Sequence, residues 1–261
     1  MLVKTLKLII QRLNVVGVDP IQIVGFTRGI PRFLLDYIKI RKEVSVRDFP
    51  VRFFPILHDK YKEGGTASGH YFHQDLVVAR KVYESSPLDH LDVGSRIDGF
   101  VAHLAVFRKV IVVDIRDLDS KVKNIEFIQA DMINMKRQME EKYVSISCLH
   151  ALEHFGLGRY GDPIDSCGHL KGFDNMFRAL KVGGTLYLSV PIGEQRLEFN
   201  AHRVFSLRYL LDMFEGKFEL VDFSYVDDSG DLVESVVITE EMVSSNCGCW
   251  CGCGIFELVK I

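Results

Sequence analysis

The stretch His90-Leu-Asp-Val-Gly-Ser-Arg-Ile-Asp-Gly-Phe100 decides the fold predicted for this chain. It begins with a short apolar strand that ends at Val93, and a turn containing Gly94 follows. The apolar residues from Phe100 onward have helical spacing. A strand, a glycine-containing turn and a helix in this order are typical of α/β proteins, in which ligands bind at the carboxyl ends of parallel strands. Gly94 allows close approach of the backbone to a ligand, and the helix N-terminus can hold an anion.

The alternation of strands and helices continues to the end of the chain. Strands are predicted at 91–94, 110–115, 125–131, 144–149, 185–191, 218–226 and 254–261. Several of them are continuous apolar runs, as expected for strands buried on both faces. Ser206 is placed to N-cap one of the intervening helices. The pattern predicts a mainly parallel sheet with helices on both faces.

Residues 1–87 are predicted to form an extension of helices and loops that packs on a core formed by residues 88–261. Within the extension, a helix is expected at about 68–83 and an extended segment at 48–55, because prolines disfavour helix before them. Apolar residues at helical spacing predict an amphipathic helix over 2–13. Docking on the core is the expected role of that helix, and anchoring at a membrane surface is the alternative.

The composition is that of a globular protein, with 48% hydrophobic and 26% charged residues and a formal net charge of −3. This balance gives no reason to expect nucleic acid or an anionic membrane as a partner. No apolar run is long enough to span a bilayer, and the N-terminus lacks the cleavage site of a secretory signal. We therefore expect a cytoplasmic protein whose cysteines are reduced.

Two further predicted strands end on carboxylates. Asp114, 22 residues after Asp92, is placed to accept hydrogen bonds from ribose hydroxyls, and Asp131 suits recognition of an adenine amino group. Aspartates after strands are also common as turn or cap residues. A nicotinamide site would need G-x-G-x-x-G, but Arg96 occupies the place of the middle glycine. Arg96 is expected either to pair with a methionine carboxylate or to be a surface cation.

These motifs resemble class I S-adenosylmethionine-dependent methyltransferases. The matching segments run in order over about 88–261 and read LDVGSRIDG, VIVVDIR, FIQAD, SISCLHALEH, FRALKVGGTLYLSVP and HRVFS. A closer similarity is to a bacterial family known as domain of unknown function 268, for which HYFHQDL, DVGSRIDGF, DIR and HALEHFGLGRYGDPID look like hallmarks. The resemblance implies a Rossmann-like α/β/α sandwich. Its seven-stranded sheet would have the order 3-2-1-4-5-7-6, with the last strand antiparallel.

The resemblance also implies S-adenosylmethionine as cofactor. Asp92 and Gly94 would lie beside its methionine moiety, Asp114 at its ribose, and Asp131 with Met132 at its adenine. Leu149 and His150 would line the sulfonium side. The complete set expected to contact the cofactor is Asp92, Gly94, Ser95, Arg96, Asp114, Ile115, Asp131, Met132, Leu149 and His150.

Histidines follow the fourth and fifth predicted strands. A hydroxyl acceptor needs a base, and a histidine suits that role near neutral pH. His150, His154 and His202 are the candidates, whereas a phosphate or carboxylate acceptor would need no base. The segment H-A-L-E-H with Asp162 and Asp165 could also bind a divalent metal. Its order is not H-E-x-x-H, however, and no metal is expected.

The long loop 156–170 is rich in Gly, Asp and Pro and is expected to cover the acceptor. By resemblance the acceptor is a small molecule: a sugar, nucleotide sugar or phosphorylated precursor of a bacterial surface polysaccharide such as a capsule. The alternative is a non-catalytic, cofactor-binding partner in a polysaccharide biosynthesis complex. A homodimer is compatible with either. The residues expected to contact the acceptor are His73, Glu153, Arg159, Tyr160, Arg196 and Arg203.

The segment NCGCWCGCG places Cys247, Cys249, Cys251 and Cys253 at every second position, so that in a strand all four would share one face. Structural zinc sites usually take C-x-x-C pairs from two segments, and this spacing does not match them. Cys253 is expected to be buried at the start of the last strand. A cysteine-rich hairpin is the expected interpretation, and a metal or redox role is the alternative.

Overall fold

The computed structural model describes residues 17–43, 49–57, 59, 64–119 and 121–261. The chain divides into two compact units, Met1–Thr66 and Ala67–Ile261, which are described separately. The helix predicted over 2–13 lies outside the described residues. The domain division expected at residue 87 stays a prediction. None of the helices in the described ranges is both long and apolar enough to cross a membrane.

In the first unit, helix α1 spans Pro20–Glu43 and contains Pro31. Residues 49–57 have neither helix nor strand, as expected from their prolines. The ring of Phe53 stands edge-on to two rings of α1, at centroid distances of 5.1 Å to Phe33 and 5.3 Å to Tyr37. These aromatic contacts join the non-helical segment to the helix.

The second unit contains the predicted alternation of strands and helices. In chain order its elements are α2 (His70–Ser85), β1 (Asp89–Val93), a wide π-type turn (Ile97–Val101), α3 (Ala102–Ala105), β2 (Lys109–Asp114), β3 (Ile125–Gln129), β4 (Tyr143–Leu149), α4 (Gly168–Ala179), β5 (Leu180–Ile192), β6 (Arg196–Glu198), β7 (His202–Val204), α5 (Leu207–Phe214), β8 (Phe218–Val226), β9 (Leu232–Val233), α6 (Glu240–Ser245) and β10 (Gly252–Lys260). Ser206 caps α5 as predicted, since its hydroxyl accepts from the backbone N–H of Tyr209.

The main sheet has the order β3-β2-β1-β4-β5-β10-β8-β9. Strands β1 to β5 pair in parallel, and β10 is antiparallel to both β5 and β8. The predicted Rossmann-like class and the 3-2-1-4-5-7-6 order are therefore confirmed, with the short β9 added at one edge. A second small sheet, the β6–β7 hairpin, was not predicted, because three-residue strands carry too short a pattern to detect.

Alternate residues of the strands point into two separate hydrophobic cores, one on each face of the sheet. Along β2, Ile111 and Val113 join the core that α4 and α5 cover, which includes Phe173 and Leu210. Val110 and Val112 join the opposite core, beneath α2 and α3. This alternation makes three layers and explains why the four central residues of β2, 110–113, are all apolar.

A polar ladder lies within the second core. Nδ1 of His90 lies 2.8 Å from the hydroxyl of Ser145, and its Nε2 lies 2.8 Å from the hydroxyl of Ser147. The Ser147 hydroxyl donates to the carboxylate of Asp92 at 2.6 Å, so its oxygen is left to accept from Nε2–H of His90. The imidazole is thus held neutral, with its proton on Nε2. All four side chains are buried and each is hydrogen-bonded, as buried polar groups must be.

We expect His90→Gln to flatten the pH dependence of stability. Burial first, and then the charge of Arg108, lower the pKa of His90 to about 3, against about 6.5 in an unfolded chain. Between these values the unfolded chain binds a proton that the folded protein does not, so the free energy of unfolding rises with pH across this window. The wild type should gain about 2–3 kcal/mol between pH about 4.5 and about 7 that the variant does not gain.

Urea unfolding followed by circular dichroism at the two pH values measures this difference. His103→Gln, at an exposed histidine, is the control and should keep the wild-type slope. An unchanged slope in His90→Gln would contradict the assignment.

Candidate functional site

A crevice opens where the carboxyl ends of β1, β2, β3 and β4 meet at one edge of the parallel strands. Together with its open mouth, the crevice measures about 870 Å³. The lining residues are Tyr71, Val93, Gly94, Ser95, Arg96, Val113, Asp114, Ile115, Arg116, Ala130, Asp131, Met132, Ile133, Leu149, His150, Ala151, His154, Phe155, Tyr160 and Asp162.

The turn after β1 forms one wall. Gly94 has φ +70°, and a Cβ on it would lie 3.1 Å from the Cβ of Ala151. Both the backbone conformation and the limited space therefore favour glycine. The next residue, Ser95, donates its backbone N–H and its hydroxyl to the carboxylate of Asp92, at 3.1 and 2.6 Å. These bonds fix the path of the turn along the crevice.

Asp92 is fully buried behind this turn and does not itself line the crevice. Burial raises the pKa of Asp92 to about 6, although hydrogen bonds from Ser147 and Ser95 act in the opposite direction. Its carboxylate orients the turn from within the core. This position makes it a support for Gly94 and Ser95.

Asp114 lies at the end of β2 with its carboxylate at the crevice. Arg116 holds it by two side-chain bonds, Nε to Oδ1 at 3.0 Å and Nη2 to Oδ2 at 2.6 Å. The Arg116 side chain is 53% exposed and can move or share the carboxylate with a ligand. Oδ1 also accepts from the backbone N–H of Arg116 at 2.8 Å. With about two lone pairs on each oxygen, Oδ2 retains capacity to accept a hydroxyl proton, and Oδ1 regains it where the Arg116 side chain moves.

Asp131 follows β3 and caps a short turn over Met132–Asn134. Its oxygens accept from the backbone N–H of Ile133 at 2.8 Å and from the side-chain amide of Asn134 at 2.7 Å. The cap brings Met132 and Ile133, both buried, against the crevice as an apolar floor. Such a floor beside a carboxylate is suited to a planar heterocycle.

His150 directly follows β4 in the left-handed region, with φ +50°. Its backbone N–H bonds to the carbonyl oxygen and the hydroxyl of Ser189, at 3.0 and 3.1 Å. Its Nδ1 lies 2.8 Å from Oε1 of Glu153, which is buried. Non-glycine residues adopt this conformation at a cost and concentrate at functional sites.

His154 is oriented by a backbone carbonyl. Its Nδ1 lies 2.7 Å from the carbonyl oxygen of Ala201, which can only accept, so Nδ1 carries the proton and Nε2 keeps a lone pair. Burial lowers the pKa of His154 despite the nearby Glu153. At neutral pH this crevice residue is therefore an unprotonated base.

Part of the loop 156–170 reaches the crevice. Tyr160 lines it and lies beneath two guanidinium groups, that of Arg116 at 4.5 Å and that of Arg159 at 5.2 Å from the ring centroid. Asp162 folds the loop by accepting from the backbone N–H of Gly158. These cation–π contacts gather positive charge at the mouth of the crevice.

The structure separates the sequence-predicted residues into two groups. All those expected to contact a cofactor line the crevice except Asp92, and so do His154 and Tyr160. Not among the lining residues are His73, Glu153, Arg159, Arg196, His202 and Arg203.

Three of the residues outside the crevice have structural partners. The guanidinium of Arg203 donates to the carbonyl oxygens of Glu153, Phe155 and Ser166, so it clamps the ends of the loop. Arg196 stacks 4.2 Å over the ring of Trp250. His202 Nε2 lies 3.6 Å from a carboxylate oxygen of Glu198 on the β6–β7 hairpin.

Sequence reasoning missed two prominent lining residues. Tyr71 lies on α2 inside the HYFHQDL segment, where it packs 5.1 Å from the ring of His150 and 5.1 Å beneath the guanidinium of Arg96. Arg116 lies two residues after the quoted strand end at Asp114. Both lie within quoted motifs, but only the packing of α2 and of the strand ends shows that they face the crevice.

We expect Gly94→Ala to lower the free energy of unfolding by about 1–2 kcal/mol. The left-handed conformation is less favourable for alanine than for glycine, and the new Cβ would crowd Ala151. Chemical denaturation measures the change. Gly64→Ala is the control, because Gly64 has no positive φ and a Cβ there meets nothing within 4 Å. Equal stability of Gly94→Ala and the wild type would contradict this account of the turn.

A comparison with known families matches more than half of the chain. The family described as "Caenorhabditis protein of unknown function, DUF268" matches residues 99–246. That description does not confirm the bacterial source expected from the sequence. No curated protein matches the chain.

Solved structures share the fold at low sequence identity. The [4+2]-cyclase SpnF is 12% identical, with 72% of this chain and 80% of that chain covered and a TM-score of 0.50. The 1,6-didemethyltoxoflavin-N1-methyltransferase from Burkholderia thailandensis is 14% identical, with 72% and 78% covered and a TM-score of 0.50. The latter was crystallised with 1,6-didemethyltoxoflavin and S-adenosylhomocysteine. These likenesses show the fold, and a cyclase among them shows that the fold serves more than one chemistry.

Proposed function

Since this chain belongs to the DUF268 family and has a methyltransferase-like fold, we propose that it binds S-adenosylmethionine and transfers the methyl group to a small acceptor. The observation that carries the proposal is the crevice at the strand ends. There, Asp114 and Asp131 lie beside the apolar floor of Met132 and Ile133. The presence of S-adenosylhomocysteine in the Burkholderia neighbour supports the same cofactor.

The proposed cofactor fits the donors and acceptors of the crevice. Asp114 would accept from the ribose hydroxyls, and Asp131 from the adenine amino group above the Met132 floor. Gly94 and Ser95 would border the methionine end. Arg96 lies at the rim, paired with Asp98 at 2.9 Å, and would turn to the methionine carboxylate. A side chain in that position disfavours the pyrophosphate of a dinucleotide, which needs bare backbone.

The cofactor supplies an electrophilic methyl group on a sulfonium sulfur. The chain has to hold an acceptor atom in line with that methyl group and exclude other geometries. For a hydroxyl acceptor, Nε2 of His154 would take the proton as the oxygen attacks, since this nitrogen is unprotonated at neutral pH. His150, bonded through Nδ1 to Glu153, would position the sulfonium side.

The acceptor in the proposal is a sugar, nucleotide sugar or phosphorylated precursor. Arg159 is exposed at the mouth and donates to the carbonyl oxygen of Ala201 through Nη1, while its other N–H groups point to no acceptor among the described residues. Together with Arg116 around Tyr160, it would favour an anionic group on the acceptor. Action in the cytoplasm and a homodimeric state also belong to this proposal.

Isothermal titration calorimetry with S-adenosylhomocysteine tests the cofactor. We expect Asp114→Asn to weaken binding at least about tenfold, because a hydrogen bond to a charged group contributes about 1.5–3 kcal/mol. Asp117→Asn, at an exposed aspartate three positions on, is the control and should bind as the wild type does. The proposal would be overturned if the protein bound NAD tightly and did not bind S-adenosylhomocysteine.

A second experiment separates an enzyme from a non-catalytic cofactor-binding partner. Phosphorylated and nucleotide-linked sugars are screened for acceptor-dependent release of adenosylhomocysteine. With a hydroxyl acceptor, His154→Gln should lower kcat about 100- to 10,000-fold, the usual contribution of a general base, while cofactor affinity is retained.

His202→Gln is the comparison, because His202 lies outside the crevice and should lower kcat far less. Turnover that His154→Gln leaves unchanged would remove His154 as the base. Binding of the cofactor with no turnover on any acceptor of the panel would favour the non-catalytic partner.

A further inference from the structure

Three metal-binding side chains from distant parts of the chain meet beside the crevice. They are His70 at the start of α2, His150 after β4 and Cys253 near the start of β10. One donor atom of each lies within 4.8 Å of the other two. No sequence pattern groups these three residues, because they belong to three separate motifs.

The orientation of His150 leaves one nitrogen directed away from its hydrogen-bond partner. Nδ1 is bonded to Oε1 of Glu153 at 2.8 Å, whereas Nε2 is buried and has no hydrogen-bond partner among the described residues. The His150 side chain is only 6% exposed. A histidine bonded through one nitrogen to a carboxylate, with the other nitrogen free, is the usual arrangement of a metal ligand.

The third side chain of the cluster is also left without a short hydrogen bond. Cys253 is buried, and its thiol makes only long contacts, at 3.8 Å to Oε1 of Gln74 and at 3.8 Å to the carbonyl oxygen of Gly254. Neither the sulfur of Cys253 nor Nε2 of His150 therefore has a short hydrogen bond that would compete with a metal ion.

We propose that His70, His150 and Cys253 bind a divalent transition-metal ion, Zn²⁺ in the first place. Two imidazoles and a thiolate are ligands that zinc prefers, and three protein ligands leave one coordination position open. Zn–N bonds of about 2.0–2.1 Å and a Zn–S bond of about 2.3 Å place tetrahedral donors about 3.3–3.6 Å apart. On binding the ion, the donor atoms of the three side chains would move closer to one another by about 1 Å. The Cys253 thiol would lose its proton to the solvent.

The other metal sites considered from the sequence have donors that are already engaged. Nδ1 of His154 is bonded to Ala201, and Asp165 pairs with Lys171 at 2.6 Å. Among the described residues, Cys247, Cys249 and Cys251 do not join the group of donors that His70, His150 and Cys253 form. The proposed site therefore takes one ligand from the H-A-L-E-H segment and one from the cysteine run.

The test uses the full chain without an affinity tag, stripped with a chelator and then titrated with Zn²⁺ or Co²⁺. We expect one ion per chain by elemental analysis and, with Co²⁺, a thiolate-to-metal absorption band. Cys253→Ser should abolish the band. His70→Asn should weaken metal binding by more than the roughly 10- to 100-fold that is typical when a residue that only contacts a metal ligand is replaced. Circular dichroism confirms that each variant is folded, and His70, at a helix end and only partly buried, provides the variant least disruptive to the core.

Cys251→Ser is the matched control, two positions before Cys253 and outside the cluster. It should bind metal as the wild type does. The proposal would be overturned if the wild type bound clearly less than one metal ion per chain or if Cys251→Ser lost the metal. It would also be overturned if a folded His70→Asn bound the metal as tightly as the wild type. Metal binding needs neither cofactor nor acceptor, so the outcome is independent of the proposed methyl transfer.

Discussion

The buried carboxylate of Asp92 is the constraint on which the site depends. It lies at the end of β1, where solvent is excluded, and its hydrogen bonds come from Ser147 on β4 and from Ser95 in the turn. A buried carboxylate needs these donors, because an unsatisfied one is strongly unfavourable. The same bonds join two central strands and set the direction of the turn. Stability of the core and shape of the crevice therefore have a common origin.

Two histidines four residues apart are given different protonation states by their surroundings. His154 is bonded to a neutral carbonyl, and burial lowers its pKa, so it is neutral near pH 7. Burial disfavours the charged form of His150 as well. There, however, interactions with Cys253 and Glu153 act in the opposite direction, and the pKa of His150 is raised well above its usual value. One residue can act as a base, while the other holds a proton that a metal ion can replace.

Helix α2 connects these features. It contributes Tyr71 to the crevice and His70 to the cysteine–histidine cluster, and it covers one face of the sheet with Val77, Val78 and Val82. Its position on the core is thus tied both to packing and to the chemistry at the strand ends. The apolar side of the helix provides the stability that holds its polar end in place.

The sequence by itself determined the class of fold, the order of seven strands by resemblance, and the location of the crevice. Apolar strand periods and strand-terminal aspartates are local features, and parallel strand ends necessarily gather at one edge. Only the tertiary structure decided that Asp92 supports the turn from behind, that Arg203 clamps a loop, and that Tyr71 and Arg116 face the crevice. It alone brought His70, His150 and Cys253 together. Such contacts join residues far apart in the chain, and no local pattern encodes the packing that creates them.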